Sequence, residues 1–174
     1  MKASTDDQQI RQLVHDHYQA VYRFAYRLSG QPADAEDLTQ QTFLTACDRL
    51  GQLRQPERAR SWLFSIVRND YLKSRSTQMV ELPDLVEPVD PGEPSRWPDE
   101  FDEEHLQAVL NAMPEAFRSP VLLFYFEELS YREIAEVLEL PAGTVMSRLS
   151  RGKAWLREQL QCHPEPTGAS RSSP

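Results

Sequence analysis

Residues 79–104, MVELPDLVEPVDPGEPSRWPDEFDEE, constrain the fold of this chain more than any other stretch. They hold five prolines (Pro83, Pro88, Pro91, Pro94, Pro98) and ten acidic residues against one base, Arg96. Proline removes an amide donor and disfavours helix in the residue before it. Like charges at this density extend a chain. The segment is therefore expected to be a flexible linker joining two compact pieces, residues 1–78 and 105–160. The closing stretch, residues 161–174, QCHPEPTGASRSSP, reads as a disordered tail.

The linker also decides how the net charge is to be read. A formal charge of −8 over 174 residues argues, taken whole, against nucleic-acid binding. Divided by segment, residues 79–104 carry −9, residues 1–78 carry +2 and residues 105–160 carry −1. The acidity belongs to the linker, and both flanking pieces are left near neutral. At 40% hydrophobic residues the chain has enough apolar material for folded cores. It holds no apolar run of about 18 residues, so no membrane insertion is expected. The polar N-terminus lacks the apolar centre of a secretion signal. Cys47 and Cys162 form no metal-ligand spacing, and two cysteines are too few for a disulfide scaffold. A reducing, cytoplasmic setting is the default.

Three helical patterns fill residues 1–78. Ile10, Leu13, Val14, Tyr18, Val21, Phe24, Ala25 and Leu28 make an amphipathic stripe, ended by Gly30 and Pro32. A second helix runs from about Ala33 to Leu50, with Asp34, Glu36 and Asp37 complementing its positive N-terminal dipole. Phe43, Ala46, Cys47 and Leu50 form its apolar face. A third starts near Pro56 and buries Ala59, Trp62, Leu63, Ile66 and Val67. Its other faces carry Arg58, Arg60, Arg68, Asn69, Lys73 and Arg75. No segment alternates with period two, so an all-α fold is expected.

In residues 105–160 a helical pattern with a break at Pro114 precedes Ser130-Tyr131-Arg132-Glu133, the spacing of a capping box. A short helix burying Ile134, Ala135, Val137 and Leu138 follows it. Glu139-Leu140-Pro141-Ala142-Gly143 reads as a turn, with Pro141 and Gly143 opposing continuous helix through it. The last helix, 144–160, keeps Val145, Leu149, Gly152, Leu156 and Leu160 on its core side. Ser147, Arg148, Ser150, Arg151 and Lys153 remain outside. A short helix, a turn and a longer helix with small polar and basic residues early on its exposed face predict a helix-turn-helix. In a major groove, arginine bonds guanine bidentately and serine suits donors or acceptors.

Two motif blocks now resemble a known family, the extracytoplasmic-function sigma factors of bacterial RNA polymerase. One is Asp34-Ala35-Glu36-Asp37-Leu38-Thr39-Gln40-Gln41-Thr42-Phe43-Leu44, with Ala59-Arg60-Ser61-Trp62-Leu63-Phe64-Ser65-Ile66-Val67-Arg68-Asn69 downstream. The other joins Leu129–Ala135 to Pro141–Arg151. The resemblance covers about residues 8–160. It implies that Asp37, Gln40, Gln41 and Phe43 contribute to binding the clamp helices of core RNA polymerase. It implies that Arg60, Arg68, Asn69, Lys73 and Arg75, with the loop at 51–56, contact and open the −10 element of promoter DNA. Residues 105–160 would bind the polymerase flap and read the −35 element. Arg132, Thr144, Met146, Ser147, Arg148, Ser150, Arg151 and Lys153 are the candidates there. An anti-sigma factor is a further implied partner. Neither a cofactor, a metal nor a small-molecule substrate is implied, and no enzyme activity.

Three residues depart from the family pattern. Gln41 stands where glutamate is usual, Lys73 where aspartate is common, and Met146 where lysine or arginine is common. Methionine cannot donate a hydrogen bond but can pack on a thymine methyl. Other readings stay open at this level. A helix-turn-helix regulator that never joins polymerase explains the C-terminal piece but leaves the Asp34–Leu44 block without a role. A helical protein-interaction module fits the apolar stripes alone. An enzyme is disfavoured, because His15, His17, His105 and His163 fall in no ligand or triad pattern. The acidic linker is either a solvated spacer or a polyanion suited to a basic polymerase channel.

Overall fold

The computed structural model describes residues 2–75 and 102–161. The linker from 76 to 101 and the tail from 162 lie outside the described residues. Seven α-helices and two single 3-10 turns, and no strand, occur among the described residues. The all-α expectation therefore holds.

Helix α1 spans Lys2–Ser29, α2 Pro32–Asp48 and α3 Ala59–Ser74. Gly30 closes α1 in the left-handed region at φ 78°, which an L side chain adopts only with strain. Its amide donates to Tyr26 O at 2.7 Å. Pro32 opens α2, where its missing amide costs nothing. The apolar stripe of α1 buries Val21, Phe24, Ala25 and Leu28 completely. Against it stand Ala35, Phe43 and Ala46 of α2 and Leu63, Phe64 and Val67 of α3. The Phe24 and Phe64 rings meet at 4.9 Å, tilted by 52°. Thr39 and Thr42 are buried too, and each hydroxyl donates one turn back, to Ala35 O and Leu38 O at 2.7 Å. Their polar atoms are thus satisfied inside the helix.

Helix α4 spans Glu103–Ala112, α5 Glu115–Tyr125, α6 Tyr131–Leu138 and α7 Ala142–Gln161. The break between α4 and α5 falls at Pro114, as its ring predicts. Helix α5 is the core of this half, with Val121, Leu122 and Leu123 fully buried. Helix α7 packs closely along it. A β-carbon at Gly152 would stand 2.6 Å from Val121 Cγ2, so the glycine permits this approach.

The capping box forms as its spacing requires. The Glu133 amide donates to Ser130 Oγ at 3.3 Å, while the Ser130 amide and hydroxyl donate to Glu133 Oε2 at 2.9 and 2.6 Å. These bonds hold the Glu133 carboxyl below the ordinary carboxylate range. A folded value below the unfolded one contributes stability above about pH 4.3, lost as pH falls through the lowered value. Ser130→Ala is expected to cost about 1 kcal/mol. Glu133→Gln should flatten the fall of the urea midpoint below pH 5. An unchanged acid limb contradicts the assignment.

Two local expectations are corrected. Helix α7 begins at Ala142, not 144, so Gly143 lies in its first turn. Within the expected turn the chain reverses at Glu139, which takes the left-handed conformation at φ 54° and donates its amide to Glu136 O. Pro141 then sits just before the first helical residue and accepts from the Val145 amide at 3.1 Å. Cys47, expected on the apolar face of α2, is exposed. Ala46 and Phe43 already fill that face near the helix end, and Cys47 lies round the cylinder from them.

The larger finding is that the two halves pack on each other. Helices α1 and α3 contact α4, α5 and α6, and the buried side chains of both halves form one continuous cluster. Buried Arg118 of α5 lies at the centre. Its Nη1 donates to Leu28 O at 3.2 Å and to the Tyr71 hydroxyl at 3.0 Å, both in the N-terminal half. Its Nη2 donates to Asn111 O and Met113 O at 2.8 and 2.7 Å. Gln107 Nε2 donates to Arg27 O at 3.3 Å. The last carbonyls of α1, left without intrahelical partners, are thus capped by the other half.

Candidate nucleic-acid interface

Helix α3 and the loop before it carry the basic residues of the N-terminal half. After α2 the chain makes two single 3-10 turns, Leu50–Gln52 and Pro56–Arg58, and then enters α3. These turns and α3 wall a groove of about 410 Å³, with Leu53, Arg54, Gln55, Arg58 and Trp62 on one side. Trp62 is half-buried and packs on the core while its edge lines the groove. Glu136 and Val137 of α6 close the other side.

The candidate −10 residues divide between two environments. Lys73 and Arg75 are exposed at the end of α3. Lys73 Nζ lies 3.2 Å from Asp70 Oδ1, and Arg75 Nη1 donates to the Tyr71 hydroxyl at 2.6 Å. Arg60, Arg68 and Asn69 are half-buried, and the first two lie near charged groups of the C-terminal half. Arg60 Nη2 donates to Glu127 Oε2 at 2.6 Å, and Glu127 is only 2% exposed. Burial pushes the Glu127 carboxyl above the usual range, opposed by Arg60 and, more weakly, Arg23 and Arg27. Burial lowers the Arg68 guanidinium; Arg148 adds to that effect, and Glu115 and Glu139 oppose it. A residue of α3 and one of α7 thus lie within electrostatic reach. Arg58, beside the groove, meets Glu136 Oε2 at 2.8 Å.

On α7, Thr144, Met146, Ser147, Arg148, Ser150, Arg151 and Lys153 are all half-buried, and they follow one another round the side opposite Val145, Leu149 and Leu156. Arg151 Nη2 is buried without a hydrogen-bond partner among the described residues. Arg132, in the first turn of α6, is exposed, its Nε 3.6 Å from Glu136 Oε1.

The α2 candidates also separate. Asp37, Gln40 and Gln41 are exposed. Phe43 is 9% exposed and stacks on Tyr18 at 6.2 Å. It faces inward, as its place in the apolar stripe predicted, and supports this surface from behind. Among the described residues the exposed large apolar side chains are Leu44, at 61%, and Tyr18, at 40%. Leu44 was part of the motif block, and it lies outside the apolar face read from Phe43, Ala46, Cys47 and Leu50. Glu127, Glu136 and Arg118 were not singled out from sequence. The one available signal was an acid pair set directly after the apolar run Val121–Phe126.

Comparison with known proteins bears on both halves. Residues 13–79 match the family described as Sigma-70 region 2, and residues 103–156 the one described as Sigma-70, region 4. The chain is 41% identical over 166 residues to the ECF RNA polymerase sigma factor SigE of Mycolicibacterium smegmatis, covering 91% of this chain and 64% of SigE's length. It is 32% identical to the ECF RNA polymerase sigma factor SigL of Mycobacterium tuberculosis, over 87% of this chain and 89% of that one. Among solved structures, the sigma factor RpoE of Bartonella quintana, in complex with the anti-sigma factor NepR, superposes with a TM-score of 0.68 at 23% identity. That match covers 90% of this chain and 99% of RpoE. CnrH, in complex with the cytosolic domain of CnrY, gives 0.70 at 23% identity, over 93% and 94% of the two chains. The two structures share the fold.

Proposed function

Because the chain belongs to the extracytoplasmic-function sigma factors of RNA polymerase, we propose that it joins core polymerase and directs it to promoters through two separate DNA-reading faces. Residues 1–78 are the polymerase-binding and −10-reading domain, and residues 105–160 the −35-reading domain. The observation that carries this reading is the presence of both sigma regions, in order, each with polar and basic side chains on helices that bury their apolar sides.

The exposed side of α2, with Asp37, Gln40, Gln41 and Leu44, together with the neighbouring Tyr18 of α1, suits a helical partner such as the polymerase clamp helices. Leu44 and Tyr18 supply apolar area, and the polar residues form its rim. On α3, Arg60, Arg68, Asn69, Lys73 and Arg75 suit phosphates and unstacked bases. The groove beside Trp62 has room for a base turned out of the duplex, which offsets part of the unstacking cost. On α7, Met146, Ser147, Ser150 and Arg151 suit base edges. Thr144, Arg148, Lys153 and Arg132 suit the backbone. The action is non-enzymatic and cytoplasmic, and an anti-sigma factor is its natural antagonist. A net charge of −8 disfavours tight unaided DNA binding, which fits a protein that reads promoters once mounted on polymerase.

Transcription in vitro with core polymerase on a genomic library, with start sites mapped, tests this directly. A defined set of start sites is expected, and none beyond core alone would refute the reading. On the promoter so found, Arg151→Ala should cost about 1–3 kcal/mol and relax one −35 position. Lys153→Ala should weaken all sequences alike. A saturated −35 library with an unchanged Arg151→Ala profile would remove that contact.

A further inference from the structure

We propose that Asp70 is a specificity-determining residue. It fixes Lys73 in place and offsets its charge, so that Lys73 makes a directed contact with the −10 element rather than a general attraction for phosphate. The proposal rests on the reading of Lys73 as a DNA ligand. Asp70 is the one acid of α3. On a helix that meets DNA, an unpaired carboxylate repels phosphate. Yet the Asp70 side chain is only 13% exposed, against 69% for Lys73. Its Oδ1 lies 3.2 Å from Lys73 Nζ, and its Oδ2 accepts from Thr45 Oγ1 of α2 at 3.4 Å.

The bond to α2 separates this arrangement from an ordinary surface ion pair. Two exposed charges three positions apart hold each other weakly, because both side chains swing freely. Here the carboxylate is half-buried and tied at its second oxygen to another helix. A threonine hydroxyl has a single hydrogen to give. Gln41 Nε2 donates to Thr45 Oγ1 at 3.4 Å, which leaves that hydrogen for Asp70. A glutamate at 41 would compete with Asp70 for it. The series Gln41, Thr45, Asp70, Lys73 thus runs from the exposed side of α2 to the end of α3. Its two ends are two of the residues that depart from the family pattern. The other ammonium hydrogens of Lys73 can still reach a base or a phosphate. With its charge offset, the lysine gains little from phosphates met at random. Arg75 is held instead by the Tyr71 hydroxyl at 2.6 Å, a partner that offsets no charge.

Asp70→Asn preserves the shape and removes the charge. Two quantities are read on holoenzyme formed from the full chain and core polymerase. One is the rate of opening of the mapped promoter, followed by a fluorescent base analogue in its −10 element. The other is binding to a non-promoter duplex of equal length over a range of salt. Asp70→Asn should bind the non-promoter duplex more tightly, with a salt slope steeper by up to about one. It should open the promoter at least about threefold more slowly. Any pattern other than this opposition overturns the proposal. Damage to the fold or to core binding lowers both quantities, and simple relief of repulsion raises both.

Thr45→Val keeps the side-chain volume and the Asp70 charge while removing the hydroxyl. It should also slow opening and leave the salt slope unchanged. Normal opening would mean that α2 does not place Asp70, and overturns the proposal. In a Lys73→Ala background, Asp70→Asn should speed opening, because Asp70 then only repels DNA. Equal slowing with and without Lys73 would place the action of Asp70 elsewhere and overturns it too. Failure of the underlying reading looks different. Lys73→Ala alone then opens the promoter at the parental rate, and the proposal falls with the reading. If the reading holds and the proposal is wrong, Lys73→Ala slows opening and Asp70→Asn does not.

Discussion

Arg118→Ala is expected to lower the unfolding free energy by about 3–5 kcal/mol, the largest effect of any single polar substitution in the described chain. Arg118 is 5% exposed, and its two terminal nitrogens make four hydrogen bonds. Truncation leaves the carbonyls of Leu28, Asn111 and Met113 without their donor. It also removes positive charge beside Glu115, whose carboxyl burial already pushes upward. Leaving buried acceptors unmatched costs more than a typical bond contributes, because each has lost water without replacement. Arg118→Lys should recover less than half, since a single ammonium cannot span acceptors on both sides of a planar fork. Urea denaturation of the two variants measures this, and a cost below about 1 kcal/mol would show that water reaches the site. Because Arg118 ties α4 to α5 and both to α1, signals from either half should move together.

Gly152→Leu is expected to cost more than about 3 kcal/mol, and Gly152→Ala about 1–2 kcal/mol. Alanine in a helix interior ordinarily stabilises relative to glycine by about 1 kcal/mol. Here the sign reverses. A β-carbon would meet Val121 Cγ2 at 2.6 Å and Phe117 Cβ at 3.3 Å, and Val121 is fully buried. Helix α7 would move off α5, carrying Met146, Ser147 and Arg151 with it. Thermal unfolding should show the loss, and −35 recognition should fall more than core binding does. A stabilising Gly152→Ala would mean that α5 and α7 are more loosely packed than described.

Much of the fold is legible from the chain because it is local. The stripe Val21, Phe24, Ala25, Leu28 fixes which side of α1 is buried, and the Ser130–Glu133 spacing fixes where α6 begins. Pro114 ends one helix by sterics alone. Where the local signal was ambiguous, the boundary slipped. The turn expected over residues 139–143 is shorter in the structure, because proline before a helix and glycine in its first turn are both tolerated. The break came from Glu139, a residue with no turn preference, because the packing of α6 and α7 demanded it.

The site was legible in its chemistry and not in its arrangement. The residue types on α3 and α7 and the order of the two motif blocks follow from the sequence, since each helix face is set by its own periodicity. That Arg60 would find Glu127, sixty-seven positions away, and that Gly30 would rest against Asn111 are facts of how the two halves close on a shared core. Periodicity says which side chains leave the surface, but not which surfaces then close on each other. The acidic linker separates the halves in sequence. Their complementary charges, Arg58 and Arg60 against Glu136 and Glu127, are paired only by the tertiary structure, because attraction between distant residues depends on distance in space.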